Sequence, residues 1–338
     1  MSETTAQEAA STDTQERGFL SRLLSGLVRV REVSILIVLA GLALYFQTAN
    51  GAFLSEQNLL SLAQFAVPYV VIASALCLLL ICGGIDLSVG QSFAFAPIVM
   101  YLAYEKLFLV LPLAVIVGLL AVAVVGLING LITVYLGVSS LITTLGMFFL
   151  LAGLNVTLTG GFPEVTPEAS SVTQVLGEYA WAGTIWALII IAVLQLVLAR
   201  TRWGLHTYAT GGNPLGAREA GVSIARIKIG NFILCGVLGG FVGIIEAFRI
   251  NSIDPLAGGP DIVLLCIASA VIGGTALLGG VGTVTGAFLG ALVLTILRNG
   301  FTLQGISAYT FNIILGIAIL VAMILNVYVA RLRGAGSS

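Results

Sequence analysis

Charge is what this sequence has least of. Only 9% of its 338 residues are Asp, Glu, Lys or Arg, against about a quarter in a water-soluble domain. Too few charged side chains exist to coat a surface that faces water. The 15 acidic and 14 basic residues nearly cancel, to a net charge of −1, so no basic excess marks a nucleic-acid partner. Histidine occurs once, at His206, with no second ligand at metal spacing. The four cysteines are Cys77, Cys82, Cys235 and Cys266. All fall in apolar runs and none forms a C-x-x-C pair, which argues against disulfides and Cys/His metal sites. They read as small buried hydrophobes.

Catalytic motifs are missing as well. There is no H-E-x-x-H, no nucleophile elbow and no paired acidic metal motif. Gly211-x-x-x-x-Gly216 continues into Ala217-Arg218, without the Lys and Ser/Thr of a phosphate-binding loop. The chain therefore carries no means of hydrolysing ATP itself, and no cofactor is expected.

What is present is apolar: 59% of residues are hydrophobic and 41 are glycine, a mixture suited to closely packed helices in lipid. Apolar runs fall near 33–50, 61–82, 88–104, 107–135, 138–159, 184–200, 228–248, 261–280, 283–299 and 309–330. A span takes about 20 residues, so the pattern predicts an all-α transmembrane bundle of about ten spans. Residues 1–31 read as a polar, then basic, tail, 32–330 as the membrane domain with a loop at 200–227, and 331–338 as a second tail. The run from Val33 comes late for a secretory signal and reads as a retained first span.

Basic residues set the orientation. With the N-terminus inside, Arg17, Arg22, Arg29, Arg31, Arg200, Arg202, Arg218, Arg226, Lys228, Arg331 and Arg333 lie inside. Only Lys106, Arg249 and Arg298 fall at or near the outer ends. Ten spans return the C-terminus to the inside, so both termini are expected to be cytoplasmic.

Three segments carry candidate chemistry. Gly83-Gly84-Ile85-Asp86-Leu87-Ser88-Val89-Gly90 places a carboxylate among apolar spans, where it is rarely idle. Either Asp86 caps the helix that starts near Ser88, or Gly84, Asp86, Ser88 and Gly90 form a broken helix on a transport path. A fainter echo places Gly273, Gly274 and Thr275 between two later spans, as interrupted transporter helices do. In the 200–227 loop, Asn213 and Pro214 suit an N-cap and first helical position, and Gly221 a stop. Leu215 to Ala220 then form a short docking helix with Arg218 and Glu219 at the contact, while Ala217 allows close approach. Glu246 and Arg249, spaced i, i+3, can pair on one helix face. Tyr179, Trp181, Trp186 and Trp203 sit at span ends, as an interfacial belt would.

Together, GGIDLSVG (83–90), GGNPLGAREAGV (211–222) and GIIEAFRINSIDPLAG (243–258) resemble the membrane subunit of a ribose-type, binding-protein-dependent ABC importer. The resemblance continues through VIGGTALLGGVGTVTGAFLGALVL (271–294) and RNGFTLQGIS (298–307). It implies a type II importer permease fold in the inner membrane, with Asn213 to Val222 containing the coupling helix. The implied partners are a cytoplasmic ABC ATPase, an external sugar-binding protein and a second permease subunit, with membrane lipid around them. Relatives commonly carry Tyr-Glu-Leu where this chain has Ile262-Val263-Leu264, which leaves the particular sugar, and homodimer against heterodimer, open. A branched-chain amino acid or nucleoside permease is the neighbouring alternative. An ion-coupled transporter using Asp86 or Glu246 is the alternative of another class.

Orientation is directly testable. Cysteine labelling is expected to reach residues 160–183 from outside and 203–226 from inside; an external 203–226 loop rules out the ten-span arrangement.

Overall fold

The computed structural model describes residues 31–168, 170–307 and, beyond these, 310, 312–314, 316, 317 and 320. The polar tail 1–30, the C-terminal tail and most of the run at 309–330 lie outside the described residues. Within them the chain is a helical bundle: α1 (Arg31–Ala49), α2 (Glu56–Ile81), α3 (Val89–Glu105), α4 (Leu111–Tyr135), α5 (Ser140–Thr159), α6 (Ala182–Arg200), α7 (Arg202–Gly212), α8 (Pro214–Glu219), α9 (Ile224–Ile250), α10 (Pro260–Ile272) and α11 (Val284–Leu303). Seven of these, α1, α2, α4, α5, α6, α9 and α11, are long and apolar enough to cross a membrane. The run at 261–280 is not one continuous helix. It stops at Ile272, so α10 reaches about 20 Å, short of a bilayer core of about 30 Å.

The bundle is built around α2. From Ala66 onward all but one of its residues are buried, and Ile72, Ala73 and Leu76 through Ile81 are wholly so. A helix apolar on every side belongs in the middle of a bundle, and α2 packs against α6, α7, α9, α10 and α11. The outer helices show the opposite pattern. On α4, Leu113, Ile116, Leu120, Val124, Leu127 and Leu131 are exposed at helical spacing, as are Ile185, Leu188, Ile189, Val193 and Leu196 on α6. Water disfavours such stripes, whereas lipid accepts them.

Small residues set how closely the inner helices approach. The contact of α4 with α9 is the most extensive in the bundle, and Gly126 lies at its centre. A Cβ there would stand 2.5 Å from the Phe232 carbonyl oxygen. From the facing side, one at Gly236 would stand 2.7 Å from the Val122 carbonyl oxygen. Where apolar burial is worth little because the surroundings are themselves apolar, close backbone packing holds helices together.

The connection after α5 is fastened at both ends rather than loose. Glu164 and Ile253 exchange backbone hydrogen bonds at 3.0 and 2.8 Å, and Tyr101 donates its hydroxyl to Glu164 at 3.1 Å. Trp186 donates its indole N–H to the Val175 carbonyl at 3.0 Å. Trp203 follows directly on α6 and is held in place by α9. Its ring wedges over Gly230, and its N–H is donated to Asn231 at 2.9 Å.

Gly126→Leu drives a branched side chain into the α9 backbone. Overpacking of this kind costs about 1–3 kcal/mol or more. We expect a lower melting temperature and lower yield in detergent, measured against Gly146→Leu, where a Cβ meets open space.

Candidate functional site

Helix α2 ends abruptly. Gly83 takes a left-handed conformation, φ +75°, which only glycine adopts without strain. The amides of Gly83 and Gly84 then turn back to the carbonyls of Leu80 and Leu79, each at 2.9 Å. From Gly84 the chain runs non-helically to Ser88, where α3 begins. Buried backbone of this kind needs partners, and side chains of neighbouring helices supply them. The Ile85 amide donates to the Ser140 hydroxyl at 3.1 Å, and the Leu87 amide to the Thr144 hydroxyl at 3.0 Å.

Asp86 is 1% exposed. Its Oδ1 accepts from the Ser88 amide at 2.8 Å and from the Ser88 hydroxyl at 2.6 Å. Ser88 Oγ in turn accepts from Asn129 Nδ2 of α4 at 2.8 Å. The carboxylate therefore does the local work of a cap at the start of α3, and it anchors a polar chain to α4. One turn on, Gln91 donates to the Gly258 carbonyl at 2.7 Å and accepts from Asn155 of α5 at 3.0 Å. Gly90 lies flat against α10, where a Cβ would stand 2.4 Å from Val263. Among the described residues, the outer oxygens of Asn129 and Asn155 have no protein partner. Between α3, α4 and α5 there is thus a strip of buried hydrogen-bond acceptors and donors.

Residues Gly273, Gly274 and Thr275 occupy the turn after α10, on another side of α2. Gly274 is left-handed, φ +95°, and Thr275 Oγ1 lies 3.2 Å from Cys77 Sγ of α2. No hydrogen bond among the described residues joins them to the Asp86 cluster. The two interruptions meet instead at the end of α2, where Gly280 N–H donates to the Ile81 carbonyl at 2.8 Å.

The 200–227 segment holds two helices rather than one. Thr201 caps α7, accepting from the Gly204 amide, and α7 runs to Gly212. Asn213 then caps α8, its Oδ1 accepting from the Gly216 amide at 3.0 Å, with Pro214 at the first position. Gly221, φ +81°, ends the turn. Ala217 is buried, while Leu215, Arg218 and Glu219 are exposed. The helix thus offers one apolar and two charged side chains outward on a rigid base. Glu246 and Arg249 are joined by a two-pronged ion pair, with Nε to Oε2 at 2.8 Å. Among the described residues, no group of three or more His, Cys, Asp or Glu is arranged to hold a metal.

Outer helices with exposed apolar stripes around a buried core whose helices are twice interrupted define a multi-pass membrane protein. The chain belongs to the family described as branched-chain amino acid transport system / permease component, whose model matches residues 58–323. It is 38% identical over 310 residues to the xylose/arabinose import permease protein XylH of Sulfolobus acidocaldarius, covering 90% of this chain and 87% of that one. It is 33% identical over 307 residues to the ribose import permease protein RbsC of Escherichia coli K12, covering 87% and 93%. With the galactose/methyl galactoside import permease protein MglC of the same strain it shares 31% over 322 residues, covering 89% and 96%. No solved structure matches it. The chain is an inner-membrane permease of an ABC importer and not an enzyme. Such a subunit works with a separate ATPase and a binding protein.

The Asp86 geometry separates capping from charge. Asp86→Asn keeps an acceptor for both Ser88 donors, and we expect it to retain most transport. Asp86→Leu leaves those donors unpaired, at a cost of about 1–3 kcal/mol, and is expected to lower assembled protein. Transport lost in well-assembled Asp86→Asn would assign the role to the charge.

Proposed function

We propose that this permease imports a pentose, hexose or related polyol, handed over by an external binding protein and driven by a cytoplasmic ATPase. The observation that carries this reading is similarity over nearly the whole chain to relatives named for xylose/arabinose, ribose and galactose import. The family description speaks of branched-chain amino acids, but these near-full-length relatives favour a sugar. Glu246 is committed to Arg249, and Asp86 to Ser88. That favours a permease driven by a partner over one that carries ions on these carboxylates.

In this reading the seven long helices, α3 and the run at 309–330 cross the membrane, α10 with the turn that follows it makes the tenth, interrupted passage, and both termini face the ATPase. The membrane domain covers 32–330, flanked by tails at 1–31 and 331–338. Residues Asn213, Pro214, Leu215, Ala217, Arg218, Glu219 and Gly221 form the coupling element, seated on the ATPase. Gly84, Asp86, Ser88 and Gly90, with Gly273, Gly274 and Thr275, border the path, and the Glu246–Arg249 pair steadies the outer end of α9. A second permease subunit, identical or related, completes the path, with lipid against the exposed stripes of α4 and α6. ATP binding and release favour opposite states through differential contacts at α8.

Reconstitution with the ATPase and binding protein, followed by uptake of labelled sugars, tests the reading. Arg218→Glu reverses a charge at the seat of α8, where mismatched charge is costly. Gly221→Val forces a β-branched residue into a left-handed turn. Both variants are expected to insert normally, to lose ATPase co-purification and to drop uptake by about tenfold or more. Uptake that persists without any ATPase, or accumulation of amino acids instead of sugars, would overturn the proposal.

A further inference from the structure

The last turn of α7 is pressed onto two other backbones with almost no side chain between them. At Gly211, a Cβ would stand 1.7 Å from the Ile81 carbonyl oxygen and 2.8 Å from the Gly280 nitrogen. At Gly280 it would stand 2.8 Å from Gly212 Cα, and at Gly279 3.1 Å from the carbonyl oxygens of both Gly211 and Ile81. Gly279 and Gly280 have φ of +92° and +78°, so the turn 276–282 takes the one shape that lets its amide reach Ile81. Ala276 N–H closes that turn on the Val281 carbonyl at 2.9 Å.

Side chains brace the contact from both flanks. Tyr208 of α7 donates its hydroxyl to the Gly282 carbonyl at 2.6 Å. Asn231 of α9 reaches the Leu78 carbonyl and Thr207, at 3.5 and 3.4 Å, while holding Trp203. Ile81 is the last residue of α2 before the first interruption, and 279–282 lies in the second. Asn213, which caps α8, follows Gly212 directly. One knot of backbone therefore ties α8 to both interrupted segments. Close-packed contacts pass displacement on instead of absorbing it.

We infer that Gly211, Gly280 and the Ile81 carbonyl form a rigid transmission joint, with Tyr208 as its strut, through which movement of α8 reaches both interrupted helices. The inference rests on the reading of α8 as the ATPase seat. Tyr208 and the glycines act as positioning residues and touch neither ATPase nor cargo.

Two measurements on the reconstituted complex test it. The first is the ATP hydrolysed per sugar taken up. In Tyr208→Phe, which adds no bulk, and in Gly280→Ala, the ATPase is expected to co-purify and its basal rate to hold. The ratio should rise about threefold to tenfold, the scale of one lost hydrogen bond. A purely structural role would lower thermal stability and leave the ratio of assembled complexes unchanged; that result overturns the joint. The second places spin labels at Leu205 and Leu278, both exposed. Their separation is expected to stay constant between nucleotide-free and nucleotide-trapped complexes. A change beyond about 2 Å, the scale of interface helix shifts, means that the contact slides and the joint is wrong. A wild-type complex that takes up no sugar rejects the sugar reading, while the label distances still decide the joint.

Discussion

Every backbone N–H and C=O in an apolar bundle has to find a protein partner, because no solvent is there to take its place. Helices meet this requirement along their length, so the demand concentrates where helices stop. Several of the buried polar residues sit at such stops or reach across to them from a neighbouring helix. Ser140 and Thr144 serve the amides of Ile85 and Leu87, Asp86 serves Ser88, and Gly280 serves the carbonyl of Ile81. Other buried hydroxyls, such as those of Ser74, Ser269 and Thr295, instead bond the carbonyl four residues back along their own helix.

Close approach is the second consequence. The α4–α9, α10–α11 and α7–α2 contacts are each made through glycine, with backbone against backbone. Contacts of this kind leave little room for side-chain rearrangement, so neighbouring helices are stiffly linked. The polar strip between α3, α4 and α5 is different in kind. There α5 buries three polar residues, Thr143, Thr144 and Asn155, beside Met147 and Leu151, and meets α3 through the Asn155–Gln91 bonds as well as apolar packing on Phe95. Such bonds can be exchanged for others of equal strength, which glycine packing cannot. The bundle thus combines stiff seams with one exchangeable seam, an arrangement suited to alternating between states.

Alternating access also needs the energy source to reach the interior. The exposed charges of α8 follow directly on the last turn of α7, which lies against Ile81 and the 279–282 turn, and α7 is fixed to α9 through Trp203 and Asn231. A connection this short and this well bonded links the six residues of α8 mechanically, through the last turn of α7, to both interrupted segments.

Much of this architecture is legible in the order of the amino acids. The apolar runs, the excess of Arg and Lys on alternate connections, the glycine-bounded interruption at 83–90 and the Asn213-Pro214 start of α8 are local signals. Each depends on residues adjacent in sequence, and the family resemblance rests on the same strings. What the chain alone does not reveal is non-local or locally weak. Helix α7, RWGLHTYATGG, is amphipathic but only weakly apolar and ends in two glycines that read as a turn, so it does not stand out among the apolar runs. The stop of α10 at Ile272 is only faintly marked, by Gly273-Gly274 inside an apolar run that continues past it. Asn129, Asn155, Ser140 and Thr144 are visible as polar residues in apolar runs, but their partners lie 41 to 64 positions away. Sequence determines which segments are apolar and where the backbone can break. Only the tertiary structure decides which distant side chain satisfies each break, because that pairing is set by how the helices cross.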